Sequence, residues 1–261
     1  MFNLVFKIMK KYLNFILKLD LYTNEKFDEN SKSIDVVRFY NQCKLDPIFF
    51  FENCIDSDIK INDSIKRFID SFINKKTLVI YNQRAIGLTT GYLILTTWLL
   101  TFYPAYRMAI ILPSNIHIHN FKNRLFKFLE SVKYSHMKQN FIFYNGENVI
   151  KITENLSECK LITNPSHLYG EQPVNSIFVD NAEMFSHTED LFKSFYMNEL
   201  LEYCNEKDCN KDQQYSPHGV VISSSFGNHS NMKNIDFLNV MFDNHKKYGF
   251  EEYLTLKMSD K

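Results

Sequence analysis

"YNQRAIGLTT", residues 81–90, lies between two apolar runs, "TLVI" (77–80) before it and "GYLILTTWLL" (91–100) after it. Four to five apolar residues bounded by a polar turn read as a buried strand. A long run that is apolar on every face reads as a buried helix. Strand, tight turn and helix together make the setting of a phosphate-binding loop, G-x-x-x-x-G-K-[ST]. In such a loop backbone amides wrap the β-phosphate, Lys neutralises the β/γ oxygens, and Ser or Thr holds magnesium. The frame here is Asn82-x-x-x-x-Gly87-Leu88-Thr89-Thr90. Gly87, Thr89 and Thr90 keep the pattern, while Asn82 replaces the first Gly and Leu88 replaces the Lys. A helix N-terminus after Gly87 still favours an anion. Arg84 brings a positive charge from a different geometry, since a planar fork is not a point charge. Taken alone, the motif is also what an ordinary strand-to-helix turn looks like.

Working outward, apolar positions every three or four residues predict a helix over 61–75, "INDSIKRFIDSFINK", and another over 115–132, "NIHIHNFKNRLFKFLESV". Strands are predicted at 77–81, 106–112, 159–163, 174–180, 219–225 and 250–258. A hairpin is predicted around Asn145-Gly146. Helices are predicted at 188–203 and from Asn234, with a polar loop at 204–218. This alternation predicts an α/β domain with a mainly parallel sheet. Residues 1–60 read as a small helical N-terminal subdomain and 61–261 as the core.

Two further segments belong to the same chemistry. "SIFVDNAE" is an apolar strand ending in Asp180, the place where a nucleotide hydrolase holds magnesium. The next residue is usually a Glu that activates water. Here it is Asn181, which hydrogen-bonds water but cannot take its proton. Glu183 lies two residues on, either as a substitute base or as a solvated loop acid. "GVVISSSFGN" ends a strand in Ser223, Ser224 and Ser225, where many translocating ATPases sense the γ-phosphate.

Composition narrows the classes. The 261 residues hold 30 basic and 30 acidic side chains, a net charge of zero, which argues against a freestanding nucleic-acid clamp. Lys122, Arg124, Lys127, Lys133 and Lys138 nevertheless cluster on and after one helix, as a DNA-phosphate contact or as a solvated face. Five cysteines at irregular spacing (Cys43, Cys54, Cys159, Cys204, Cys209) read as free thiols in a reducing compartment. Cys204, Cys209 and His218 make a poor zinc pattern. The N-terminal "MFNLVFKIMKKYLNFILKLDLY" is broken by Lys7, Lys10, Lys11 and Lys18. It reads as an amphipathic helix, with no stable membrane insertion and no signal peptide.

In order along residues 40–258, seven segments resemble the N-terminal ATPase domain of large terminases, the DNA-packaging motors of tailed phages. They are "CKLDPIFFFENC", "RAIGLTT", "LPSNIHIHNFKNRLFKFLE", "FYNGENVIKI", "SHLYGEQPVNSIFVDNAEMF", "VVISSSFGN" and "YGFEEYLTL". "RAIGLTT" is similar to the family's R-x-x-G-K-T-T loop. Tyr169 stands where the family often has Arg.

The resemblance implies a RecA-like P-loop NTPase core with a mainly parallel sheet. It implies ATP and Mg2+ as ligands, and a nucleotide site of Gln83, Arg84, Gly87, Leu88, Thr89 and Thr90. Thr89 and Asp180 would hold the metal, and Ser223, Ser224 and Ser225 would couple hydrolysis to movement. The implied partners are double-stranded DNA, a portal, other packaging subunits and copies of the same chain in a ring, in the host cytoplasm. The family's C-terminal nuclease domain is expected to be absent here and supplied, if needed, by a separate chain. The loss of both Lys and Glu predicts weak or lost hydrolysis. The alternatives are a catalytically inactive structural or binding paralogue within a packaging complex, and an unrelated helicase-like α/β P-loop protein.

Overall fold

A computed structural model describes residues 32–74, 77–83, 86–135, 137–164, 174–185, 219–226 and 252–256. The expected N-terminal amphipathic helix, the helices at 188–203 and from Asn234, Arg84, Tyr169, Cys204, Cys209 and His218 all lie outside the described residues.

The chain divides into two compact units, Met1–Asp46 and Pro47–Lys261. The division falls earlier than residue 60, and the aromatic segment explains why. In the first unit α1 (Lys32–Leu45) is the described helix. Pro47 then opens α2 (Pro47–Cys54), a position where its fixed φ and missing N–H are harmless. Phe50, Phe51 and Cys54 of α2 are buried in the second unit, with Phe50 edge-on to Phe102 at 5.1 Å and Phe51 against Phe128 at 5.5 Å. That apolar anchorage makes 47–60 part of the core unit.

The second unit continues with α3 (Asp63–Asn74), β1 (Thr77–Gln83), α4 (Leu88–Phe102), β2 (Arg107–Ile111) and α5 (Asn115–Glu130). The strands β3 (Phe141–Tyr144), β4 (Val149–Ile152), β5 (Glu158–Ile162) and β6 (Ser176–Val179) follow. A 3-10 turn (Ala182–Met184) leads to β7 (Gly219–Phe226) and β8 (Glu252–Leu256). They form one sheet in the order β3-β4-β5-β2-β6-β7-β1-β8. All pairings are parallel except β3 with β4 and β4 with β5. β6 is buried along its whole length and β7 from Gly219 to Ser224, as central parallel strands covered on both faces require.

The expected hairpin forms, with a difference at its tip. Tyr144 pairs with Val149, so four residues turn the chain. The left-handed position falls on Asn148 (φ 51°), not on Gly146. Asn tolerates that conformation through its short polar side chain.

α4 is the centre of the core. Every residue from Thr90 to Phe102 is buried. Two of its hydroxyls are satisfied within the helix: Thr97 donates to the Leu93 carbonyl at 2.8 Å and Thr101 to the Thr97 carbonyl at 2.7 Å, while the buried Thr96 Oγ1 has no hydrogen-bond partner among the described residues. Close packing with α3 depends on Gly91, where an added Cβ would meet Phe68 Cδ1 at 2.7 Å. Phe68 is fully buried and edge-on to Tyr92 at 5.2 Å, so its ring has little room to yield. Gly91→Ala is therefore expected to destabilise the fold by about 1–3 kcal/mol despite Ala's better helix propensity. A urea titration followed by circular dichroism reads this directly; a stabilised variant would show that α3 can shift.

Candidate nucleotide and magnesium site

In open α/β sheets ligands bind beyond the carboxyl ends of the strands. Here β1, β6 and β7 are consecutive in the sheet order β6-β7-β1, and their carboxyl ends carry the residues singled out above. β1 ends at Gln83, whose backbone pairs in register with Phe226, as Asn82 does with Ser225.

The loop between β1 and α4 is tied from outside. Asn62 Nδ2 donates to the Ile86 carbonyl at 2.8 Å, while Asn62 Oδ1 accepts from the Ile65 amide at 2.9 Å. One side chain thus caps α3 and holds the loop. Sequence reasoning missed Asn62 as a positioning residue; an Asn just before an apolar-periodic run was the available signal. Gly87 follows with φ 86° and ψ 19°, left-handed, and an added Cβ would meet Ile65 Cδ1 at 3.0 Å. Both facts demand glycine. It caps α4 without a side-chain hydrogen bond, so the first-turn amides of a 15-residue helix face the loop without a competing side-chain cap.

Leu88, at the lysine position, is 5% exposed. It packs as part of the core. Thr89 is half-buried, and its Oγ1 donates to Asp180 Oδ2 at 2.9 Å. Asp180 is held at the end of β6 by its own amide, which donates to the Ile111 carbonyl at 3.1 Å. Ser223 Oγ lies 3.2 Å from the Val179 carbonyl and 3.3 Å from Asp180 Oδ1, and shares its hydrogen between them. The structure therefore brings Thr89, Asp180 and Ser223 together. Ser224, the next residue of β7, is buried, and of Ser225 only the backbone position is described.

Asp180 is 3% exposed. Burial pushes its carboxyl up from the usual 3.8 to about 6, and the charge of Glu183 adds to this. Hydrogen bonds from Thr89, Ser223 and the Asn181 amide oppose the rise.

The reading of Glu183 as a solvated loop acid is corrected: the side chain is 1% exposed, on a 3-10 turn that packs against β7. Two carboxylates are thus buried close to one another, an arrangement that favours a cation between or beside them. Asn181 has φ 52° and ψ 51°, left-handed, and its carbonyl accepts from the Met184 amide at 2.9 Å. A Glu at this position would be strained. Asn181→Glu is expected to lower stability by about 1–2 kcal/mol and Asn181→Gly to leave it nearly unchanged. Thermal melts of the two variants check this; equal melting temperatures would mean that the backbone relaxes.

The reading of Arg124 as one member of a solvent-facing or DNA-facing cluster is also corrected. It projects from α5 onto α4, where Nη2 donates to Thr90 Oγ1 at 2.8 Å. Lys122 of the same cluster lies over the Phe143 ring at 4.3 Å, and Lys127 and Lys133 are exposed.

The donor set fits magnesium. A hard cation held by one hydroxyl, one carboxylate, water and phosphate oxygens needs no cage of three acids. None of at least three His, Cys, Asp or Glu is found among the described residues. Cys43, Cys54 and Cys159 are buried and form no disulfide.

No family model matches the chain, and no curated protein matches it in sequence. Solved structures do. The large terminase of bacteriophage HK97 matches with a TM-score of 0.57 at 11% identity, over 84% of this chain and 45% of that one. The large terminase ATPase domain of Thermus phage P74-26 matches at 0.49 and 15% identity, over 67% of each chain. A DEAD box protein from Methanococcus jannaschii matches at 0.44 and 15%, over 78% of this chain and 56% of that one. The likeness to the HK97 protein shows the fold: a mainly parallel α/β core shared with a phage large terminase, of which this chain spans less than half the length.

Proposed function

We propose that this chain is the nucleotide-binding core of a terminase-type DNA-packaging ATPase that binds Mg-ATP and turns it over slowly. The observation that carries the reading is the contact of Thr89 with the buried Asp180 at 2.9 Å, across the carboxyl ends of β1 and β6. The hydrogen bonds from Thr89, Ser223 and the Asn181 amide do not offset the burial of this carboxylate, and a metal–phosphate pair at the helix N-terminus would. Thr89 and Asp180 would hold the magnesium. The α4 amides would hold phosphate oxygens, and Ser223 would report on Asp180. The metal, when bound, would neutralise phosphate charge. Glu183, not Asn181, is the buried carboxylate near Asp180 and the better candidate for orienting water. Double-stranded DNA, a portal, further packaging subunits, a ring of copies of this chain and the host cytoplasm belong to the same proposal, supported by the fold likeness alone.

One observation favours a second reading. Leu88 is built into the core and Asn181 into a left-handed turn, so the two departures are structural fixtures. A subunit that keeps the fold but binds no nucleotide would carry such changes. Calorimetric titration with Mg-ATP, together with phosphate release with and without linear double-stranded DNA, separates the two. Binding and slow turnover that disappear in Asp180→Ala support the first reading. No binding by the wild type overturns it in favour of the second.

A further inference from the structure

A phosphate site needs positive charge, and position 88, which would supply it, is a buried leucine. One half-buried cation does reach α4 in the described residues. Arg124 leaves α5 on the side that carries Phe121 and Phe128, three residues before and four after it, both buried. That side packs on α4. Its Nη2 meets Thr90, the third residue of α4, whose neighbour Thr89 meets Asp180.

We infer that Arg124 takes the place of the missing loop lysine, contributing from α5 the positive charge that binds the nucleotide's phosphate oxygens at the N-terminus of α4. The inference rests on the nucleotide-binding reading given above.

Three physical points support it. Among the described residues Arg124 forms no salt bridge, and its hydrogen-bond partner is the neutral Thr90 hydroxyl. A partly desolvated guanidinium without a carboxylate partner favours an anion, and two parallel N–H groups match a phosphate edge. Burial lowers the guanidinium's pKa and the Asp180 charge opposes that, which places it within electrostatic reach of the metal-holding carboxylate. Finally, one Nη2–H on Thr90 leaves further donors of the five in the same plane.

The test is calorimetric binding of Mg-ATP to the wild type, Arg124→Gln, Arg124→Lys and the Arg124→Gln, Leu88→Lys double variant, each with its melting temperature. Arg124→Gln is expected to weaken binding about 10- to 100-fold, the worth of a lost charged hydrogen bond. Gln can still donate to Thr90, so the melting temperature should stay near that of the wild type. Arg124→Lys should fall between. Leu88→Lys in the same chain should recover most of the affinity, because it returns the charge to the loop. Unchanged binding by Arg124→Gln overturns the inference and leaves the nucleotide site standing. A loss that Leu88→Lys does not recover also overturns it, because Arg124 would then act only by holding α5 to α4. A wild type that binds no Mg-ATP overturns both.

Discussion

Asp180→Asn is expected to raise the melting temperature above pH 7 while weakening Mg-ATP binding about 100-fold or more. Both effects come from one carboxylate. In the folded chain its pKa is about 6 against an ordinary 3.8. Between those values the folded state holds a proton that the unfolded state has released. Stability therefore falls as pH rises through this window, and above it the ionised group costs about 3 kcal/mol. Asn removes the charge, the repulsion by Glu183 and the burial cost, and Thr89 and Ser223 can still hydrogen-bond it. The Arg124 charge loses an attraction, which subtracts from the gain. Metal binding has the opposite sign: it needs the carboxylate, so Mg-ATP affinity should fall as pH drops below about 6, and Asn should abolish most of it. Differential scanning fluorimetry and calorimetry at pH 5.5 and 8 read both quantities. If Asp180→Asn melts lower than the wild type at pH 8, the carboxylate is structural and the magnesium assignment fails.

Phe178→Ala is expected to cost about 3–5 kcal/mol, the largest stability effect of any single change considered. Phe178 is fully buried on β6, edge-on to Phe72 of α3 at 5.2 Å and against Tyr92 of α4 at 5.0 Å. Deleting the ring opens a cavity where α3, α4 and the central strand meet. For a chain of this size the melting temperature should drop on the order of 10 °C. Tyr92 Oη also donates to the Val179 carbonyl at 3.4 Å, next to Asp180, so the same change should loosen the site. A loss under 1 kcal/mol in a denaturant titration would mean that the neighbouring rings collapse into the space.

Much of this was legible in the chain. The buried helix is written in "LTTGYLILTTWLLTF", with no polar face for water to claim. The parallel strands are written in short apolar runs such as "SIFV", which has no solvent side. Gly87 and Asp180 are legible because few residue types suit a left-handed loop or a metal at a strand end. Glu183 was misread because an acid a few residues past a strand is usually solvated. Nothing local signals that a 3-10 turn folds it inward. Arg124 was misread as one of five cations because only the α4–α5 packing distinguishes it from Lys127.

The sequence by itself determined the order of the described strands and the helices between them, the apolar core and the presence of a loop of phosphate-binding form, since these follow from local periodicity and backbone preference. The tertiary structure alone decided the rest. It inserted β7 between β1 and β6, so that Ser223 reaches Asp180 across 43 residues of chain. It also laid α5 on α4, bringing Arg124 to Thr90. Strand order and helix docking are set by how buried faces fit together, and that fit is a property of the whole core.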